Sequence, residues 1–268
     1  MQTYFIYLSV GSIIGITSSL FGFGGGFLVV PALYWLLPKV NVPSNLVMHA
    51  AVATSLAIMI LNSINSTLAH ERLGNISWAV FLKISPYIAG GAMLGAFLSQ
   101  WISGETLRYF FICFLLLVII RNMLNNEFTE ISNKPLKFPS KISIGIIGTG
   151  IGIIATLLGV GGSVLTIPFL RRCNMRMLNA VALAAPLSIP VALFGAATYF
   201  LIGLRVNGLP YGFAGFIYIP AFLGIGLGGF IGVPLGARIG RQLPDKFYAR
   251  VYIILLSIIV IIMLRHKY

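Results

Sequence analysis

Phe21-Gly22-Phe23-Gly24-Gly25-Gly26 and, offset by 137 residues, Leu158-Gly159-Val160-Gly161-Gly162-Ser163 are the two interruptions on which the reading of this chain turns. Each lies inside an apolar stretch, 5–37 and 142–171. As one unbroken helix the first stretch would measure about 50 Å, well beyond a bilayer hydrocarbon core of about 30 Å. Adjacent glycines are also costly inside a helix. The pairing extends past the glycines, setting Gly11 on Gly148, Gly15 on Gly152, Leu20 on Leu157, Leu28 on Leu165 and Pro31 on Pro168. The chain is therefore a duplication.

Outward from these breaks, the composition excludes an ordinary water-soluble protein. Of 268 residues, 58% are apolar and 9% charged, against roughly 25% charged in an average soluble domain. Apolar runs long enough to span a bilayer lie at 48–69, 78–101, 107–122, 178–203, 214–237 and 247–264. The formal charge of +13 does not indicate a nucleic-acid partner, because the cations sit in short stretches between apolar runs, where they orient a chain in a bilayer. Cys113 and Cys173 are too few for a disulfide framework, and three scattered histidines make no metal site. No cofactor is expected. Met1 to Ser9 carries no Lys or Arg and no small-residue cleavage site follows, so this segment is expected to be kept as the first membrane segment.

Cation placement chooses between two topologies for the broken stretches. If both cross the membrane, the 17 cations outside the spans divide nine against eight, which orients nothing. If both enter and return as re-entrant hairpins, twelve fall on one side and only Lys39, Arg108, Arg205, Arg265 and Lys267 on the other. The expected fold is thus an all-α polytopic membrane protein of two homologous halves, each a glycine-broken re-entrant helix pair plus three transmembrane helices. Residues 1–124 form the first membrane repeat, 125–141 a cytoplasmic linker and 142–268 the second repeat, with both termini outside. Three full crossings per half insert the halves in opposite senses, the inverted-repeat plan of many secondary transporters.

Irregular backbone at membrane depth persists only where protein or a wet cavity surrounds it. After each break a short helix is expected to restart, at Phe27 to Leu37 and Val164 to Leu170, with its first N–H groups pointing back at the glycines. Such ends carry partial positive charge and free donors, which suits an anion. Lys39, and Arg171 with Arg172, complement the far negative poles, and Pro31 and Pro168 are expected early in their half-helices, where a missing N–H costs little. Gly91, Gly95, Gly228, Gly232 and Gly236 read instead as close helix contacts. No strand precedes either break, so a dinucleotide fingerprint is excluded.

The duplicated GxGG followed by a short apolar segment and proline, Gly22-Phe23-Gly24-Gly25 to Pro31 and Gly159-Val160-Gly161-Gly162 to Pro168, resembles the TauE/SafE sulfite exporter family. Ala53-Thr54-Ser55-Leu56 resembles the element opening that family's next helix. The resemblance covers nearly the whole chain. It implies a multi-pass transporter in a cell membrane whose cargo is a small sulfur-containing oxyanion, sulfite or an organosulfonate; an importer or a channel for such a solute remains the alternative.

Candidate substrate-binding residues are Gly24, Gly25, Gly26, Thr54, Ser55, Asn62, Gly161, Gly162, Ser163, Thr166 and Ser188. Each hydroxyl serves equally well as a substrate donor or as a back-bond to its own helix. Asn62 and Asn65 share a helix face and either line the path or bond to neighbouring helices. His49, near a helix end, reads as an interfacial group, and Lys83 as one that snorkels to the interface. All five acidic residues, Glu71, Glu105, Glu127, Glu130 and Asp245, lie outside the spans, leaving no carboxylate at depth for proton coupling. With the cell interior negative, outward movement of one negative charge is favoured by about 2.3 kcal/mol per 100 mV, roughly fiftyfold. Uncoupled efflux fits this inventory better than accumulation. No paired carboxylates or Ser/His/Asp set at depth suggest an enzyme. The partners expected are a small anionic solute and the lipid bilayer, while the oligomeric state is not readable.

Overall fold

In the computed structural model, which describes residues 2–21, 25–72, 74–124, 136–240 and 245–265, the apolar runs become helices and each glycine-broken stretch is divided into two of them. The first half holds α1 (Gln2–Phe21), α2 (Gly26–Leu36), α3 (Ser44–Glu71), α4 (Trp78–Leu98) and α5 (Gly104–Leu124). The second holds α6 (Lys141–Leu158), α7 (Ser163–Arg172), α8 (Met177–Gly203), a hairpin of β1 (Phe213–Ala214) and β2 (Ile217–Tyr218), α9 (Ile219–Gly240) and α10 (Asp245–Arg265). Five helical segments, Ser44–Glu71, Trp78–Trp101, Lys141–Leu158, Asn179–Gly203 and Ile219–Gly236, are long and apolar enough to cross a membrane. The molecule is a polytopic, mostly helical membrane protein.

Helices α3 and α8 form its axis. From Val47 to Met59 every residue of α3 is buried, as expected of a helix that is apolar on all sides. The outer helices turn large apolar side chains outward, among them Leu82, Phe110, Ile146 and Ile258. On a soluble protein such a surface would drive association; against lipid it needs no cover.

The two halves interlock. Helix α1 lies on α9, and α6 on α4, as the most extensive helix pairings. Glycine makes both close. Gly11 faces the Ile225 backbone, Gly15 faces Gly229 and Gly232, and Gly228, Gly232 and Gly236 face backbone of α1 from Leu8 to Ile16. In the mirrored pair Gly91 faces Thr149 and Gly95 faces Ile153. In both, residue numbers rise together along the interface, so the paired helices run parallel. The stripe Gly91, Gly95, Gly228, Gly232 and Gly236 is thus a close-packing device, as its spacing suggests.

Both broken stretches fold back. Gly25 lies beside Ile14 and Ser18 of α1, which a continuing helix would leave about 16 Å and about 10 Å behind. In the second half the Lys137 amide, ahead of α6, donates to the Cys173 carbonyl just past α7 (3.1 Å). Two arms of 18 and 10 residues in one straight rod would hold those points about 40 Å apart. Asn41 and Asn174 close the turns after α2 and α7 in the left-handed region, φ 61° and 65°, which asparagine tolerates better than most residues.

Two expectations are corrected. Pro31 and Pro168 are each the sixth residue of their helices, which begin at Gly26 and Ser163. That is two past the first turn, so each withdraws a donor from a carbonyl four residues back, on Phe27 and Val164. The run expected to be helical from 214 starts its helix only at Ile219, because Phe213 and Ala214 pair antiparallel with Tyr218 and Ile217. A short apolar run does not distinguish strand from helix by periodicity; Gly212 (φ 95°) and Gly215 (φ 57°) shape the turn.

The interlock predicts opposite outcomes for two glycines. Gly232→Leu drives a side chain into the Ser12 carbonyl and Gly15 Cα and is expected to cost about 1–3 kcal/mol or more, lowering the thermal unfolding midpoint in detergent. Gly150→Ala, where an added Cβ meets nothing within 4 Å, should leave the midpoint unchanged or raise it by up to about 1 kcal/mol of helix propensity.

Candidate functional site

The local sequence explains where each helix stops. At the end of α6, Gly159 adopts φ 64°; its amide donates to the Thr156 carbonyl (3.2 Å) and the Val160 amide to the Ala155 carbonyl (3.0 Å). This paired closure requires a left-handed residue and glycine supplies it. At the start of α2, Gly25 (φ 87°) accepts from the Leu28 and Val29 amides, both at 3.1 Å. At the start of α7, Gly162 accepts from Leu165 (3.1 Å) and Thr166 (2.7 Å). Amides ahead of these bonds, on Gly26, Gly161, Gly162, Ser163 and Val164, meet no acceptor among the described residues. Gly24, also a candidate, lies outside the described residues.

The two breaks touch. A Cβ built on Gly26 would lie 2.6 Å from the Gly159 carbonyl oxygen, 2.9 Å from Val160 Cα and 3.2 Å from the Gly161 nitrogen. Gly26 and residues 159–164 are all buried. Two half-helix amino termini, one from each half, thus converge on one buried spot, and their partial positive ends reinforce each other.

Side chains from α3 frame the contact. Ser55 Oγ donates to the Gly159 carbonyl (2.8 Å), tying the first half's long helix to the second half's break. Its neighbour Thr54 accepts from the Tyr218 amide through Oγ1 (3.0 Å), anchoring the β-hairpin at the head of α9. The remaining hydroxyl candidates bond locally: Ser163 Oγ to the Gly161 carbonyl (3.5 Å), Thr166 Oγ1 to that of Gly162 (2.7 Å) and Ser188 Oγ to that of Ala184 (2.9 Å). For these three, the back-bonding half of the sequence alternative describes the geometry.

Asn62 is different. Its side chain is 2% exposed, its Nδ2 has no hydrogen-bond partner, and that nitrogen lies 3.2 Å from the position of a Cβ on Gly25. A donor is therefore aimed at the first break with nothing to receive it. Thr156, one turn before the second break, is fully buried with its Oγ1 also unpartnered. Sequence reasoning passed over Thr156, although the offset of 137 sets it on Ser19, a hydroxyl at the matching place in the other half. Leaving a buried donor unmade costs about 1–3 kcal/mol, so two beside the breaks require a reason.

His49 sits at one end of α3, 8% exposed, with Nε2 3.1 Å from the Ser99 carbonyl and its ring stacked on Phe216; as the donor it carries its proton on Nε2. Lys83 is exposed. Among the described residues no carboxylate is buried and no cluster of metal-ligating side chains forms. Chemically, the assembled site offers donors: backbone amides and an amide nitrogen.

Comparison with known proteins bears on what those donors serve. Residues 7–263 match the family described as Sulfite exporter TauE/SafE. A probable membrane transporter protein of Haemophilus influenzae is 30% identical over 95% of this chain and 95% of its own. One from Methanocaldococcus jannaschii is 29% identical over 90% of this chain and 88% of its own. The probable membrane transporter protein YunE of Bacillus subtilis is 24% identical over 96% of each. No solved structure matches the chain.

The hydroxyl bonds predict a contrast in stability. Ser55→Ala strips the buried Gly159 carbonyl of its donor and is expected to cost about 1–3 kcal/mol. Thr156→Val, which removes an unpartnered hydroxyl at nearly constant volume, should leave the unfolding midpoint unchanged or raised. Thermal unfolding of the two purified variants beside the parent checks both.

Proposed function

The chain belongs to the TauE/SafE family of membrane transporters, and from that premise we propose that it exports a small sulfur-containing oxyanion, sulfite or an organosulfonate, bound where the two half-helices converge. The observation that carries this reading is the contact of Gly26 with Gly159 and Gly161, around which the Gly25, Gly159 and Gly162 carbonyls are occupied while amides stand unpaired among the described residues. A site with surplus donors favours negative charge.

In this reading the amides near Gly24, Gly25 and Gly26 and those of Gly161, Gly162 and Ser163 receive the oxyanion, and Asn62 Nδ2 adds a side-chain donor. Ser55 positions the second break and Thr54 the hairpin at the head of α9. The membrane potential drives the anion outward at about 2.3 kcal/mol per 100 mV, with no carboxylate needed to couple it.

Alternating access follows from an inverted repeat of two re-entrant pairs, with the linker cytoplasmic and both termini outside. The mirrored pairings α1 with α9 and α6 with α4 support it, as does the return of α7 to the linker through the Lys137–Cys173 bond. Access would change as each half, carrying one helix packed on the other half, rocks about the α3–α8 axis.

Sulfite flux from proteoliposomes under an imposed potential tests the site. Asn62→Leu, which keeps the branched heavy-atom shape but removes both polar atoms, is expected to cut flux at least about tenfold, the worth of one hydrogen bond to a charged group. Asn62→Asp should abolish flux by like-charge repulsion. Undiminished flux in both overturns the site; flux only under an inward ion gradient replaces export with import. A Ser132→Cys label reachable from the cytoplasm alone supports the topology. Replacing Cys113, which is exposed, and Cys173, which is buried, by alanine removes their background from the label.

A further inference from the structure

Away from the breaks, α2 and α10 leave a groove between them on the outer face. It is open along its length, encloses about 800 Å³, and ends at a cation. One wall is the stripe Leu28, Ala32 and Trp35, the other Ile254, Ile258 and Ile262, and Arg265 stands at the end. Both walls follow helical spacing, so the groove is continuous. Along α10 it runs about 16 Å at 1.5 Å per residue, close to half of a hydrocarbon core of about 30 Å.

Charge is placed at the same end as the aromatic ring. Lys39 Nζ lies 3.1 Å above the Trp35 ring, and Arg265 closes the last turn of α10. Among the described residues neither is in a salt bridge with a carboxylate. Both also fall on the cation-poor side of the proposed topology, where orientation gives no reason for them. An apolar trough one leaflet deep, with an interfacial tryptophan and two cations at its mouth, is complementary to a lipid with one buried chain and an anionic headgroup.

We infer that this groove is a binding site for an anionic phospholipid, its acyl chain lying between α2 and α10 and its phosphate held by Arg265 and Lys39. The occupant braces α2 from behind, on the side away from α3. Because α2 carries the Gly26 amide at its other end, lipid occupancy would steady one of the two half-helix termini. The inference does not depend on the identity of the transported solute.

Trp35 lines the groove and reports directly on its occupant. With Trp78→Phe and Trp101→Phe in the full chain, Trp35 is the remaining tryptophan. Its fluorescence is followed in phosphatidylcholine bilayers containing a minor, equal fraction of either phosphatidylglycerol or phosphatidylcholine brominated on the acyl chain. Enrichment of about fivefold per cation is expected for phosphatidylglycerol, read as quenching well above that by the brominated phosphatidylcholine. In Arg265→Gln with Lys39→Gln the two lipids should quench equally. Ala32→Phe, which fills the trough, should reduce quenching by phosphatidylglycerol even with both cations present.

Equal quenching by the two lipids in the parent overturns the site, as does a phosphatidylglycerol preference that survives loss of both cations. Protection of Trp35 that rises with protein-to-lipid ratio and ignores lipid charge would assign the groove to a second copy of the chain, and overturns it too. Sulfite flux is measured separately, so failure here leaves the transport site standing and failure there leaves this one.

Discussion

The site rests on one constraint: backbone polar groups buried where a helix breaks must find partners within the protein. The two glycine breaks meet that constraint by closing on each other. Carbonyls are served first. Thr156 and Ala155 are closed by the amides of Gly159 and Val160, Gly25 and Gly162 accept from the next turns, and Gly159 receives Ser55. Amides are served last, and those of Gly26, Gly161, Gly162, Ser163 and Val164 find no acceptor among the described residues. The imbalance leaves the contact with more free donors than acceptors among the described residues, which is the basis on which an anionic solute is proposed for it.

The same constraint explains the interlocked halves. The second break packs against residues from the other end of the chain, among them Val30, Val52 and Ser55. Helix α1 is backed by α9 and α6 by α4, each through glycines that bring backbones into direct contact. Van der Waals packing is the force that lipid does not already supply, and small residues maximise it. Glycine thus serves two purposes along one helix pair, close approach in the middle and reversal at the end.

Much of this was legible before any coordinates. The packing glycines and the positions of the helix breaks follow from residue identity at fixed offsets, because glycine has few reasons to recur in pairs. Five of the six apolar runs fall on helices with ends displaced by a few residues. The sixth failed at residues 213–218, where the hairpin is set by Gly212 and Gly215 and by a tertiary bond from Tyr218 to Thr54, neither visible as periodicity. The prolines misled because the helices start one residue earlier than expected, at Gly26 after the left-handed Gly25 and at Ser163 after the right-handed Gly162, and the sequence does not say which glycine will precede the first turn. At the site, spacing selected hydroxyls but not their partners. Ser163, Thr166 and Ser188 turn out to bond their own backbone, while Asn62 and Thr156 stand unpartnered, a difference set by tertiary neighbours that spacing does not reveal.

Interlocking also sets an order of events during synthesis. Gly11 and Gly15 emerge more than two hundred residues before Gly228 and Gly232, the surfaces they fit. At ordinary elongation rates of roughly 5–20 residues per second, α1 waits on the order of 10–40 s in the membrane for its partner. Until then its glycine face can be held only by lipid, the insertion machinery or a transient neighbour. Native closure is therefore nearly the last step of biogenesis, and a nascent chain that stalls before α9 has an open seam for quality-control proteases to find.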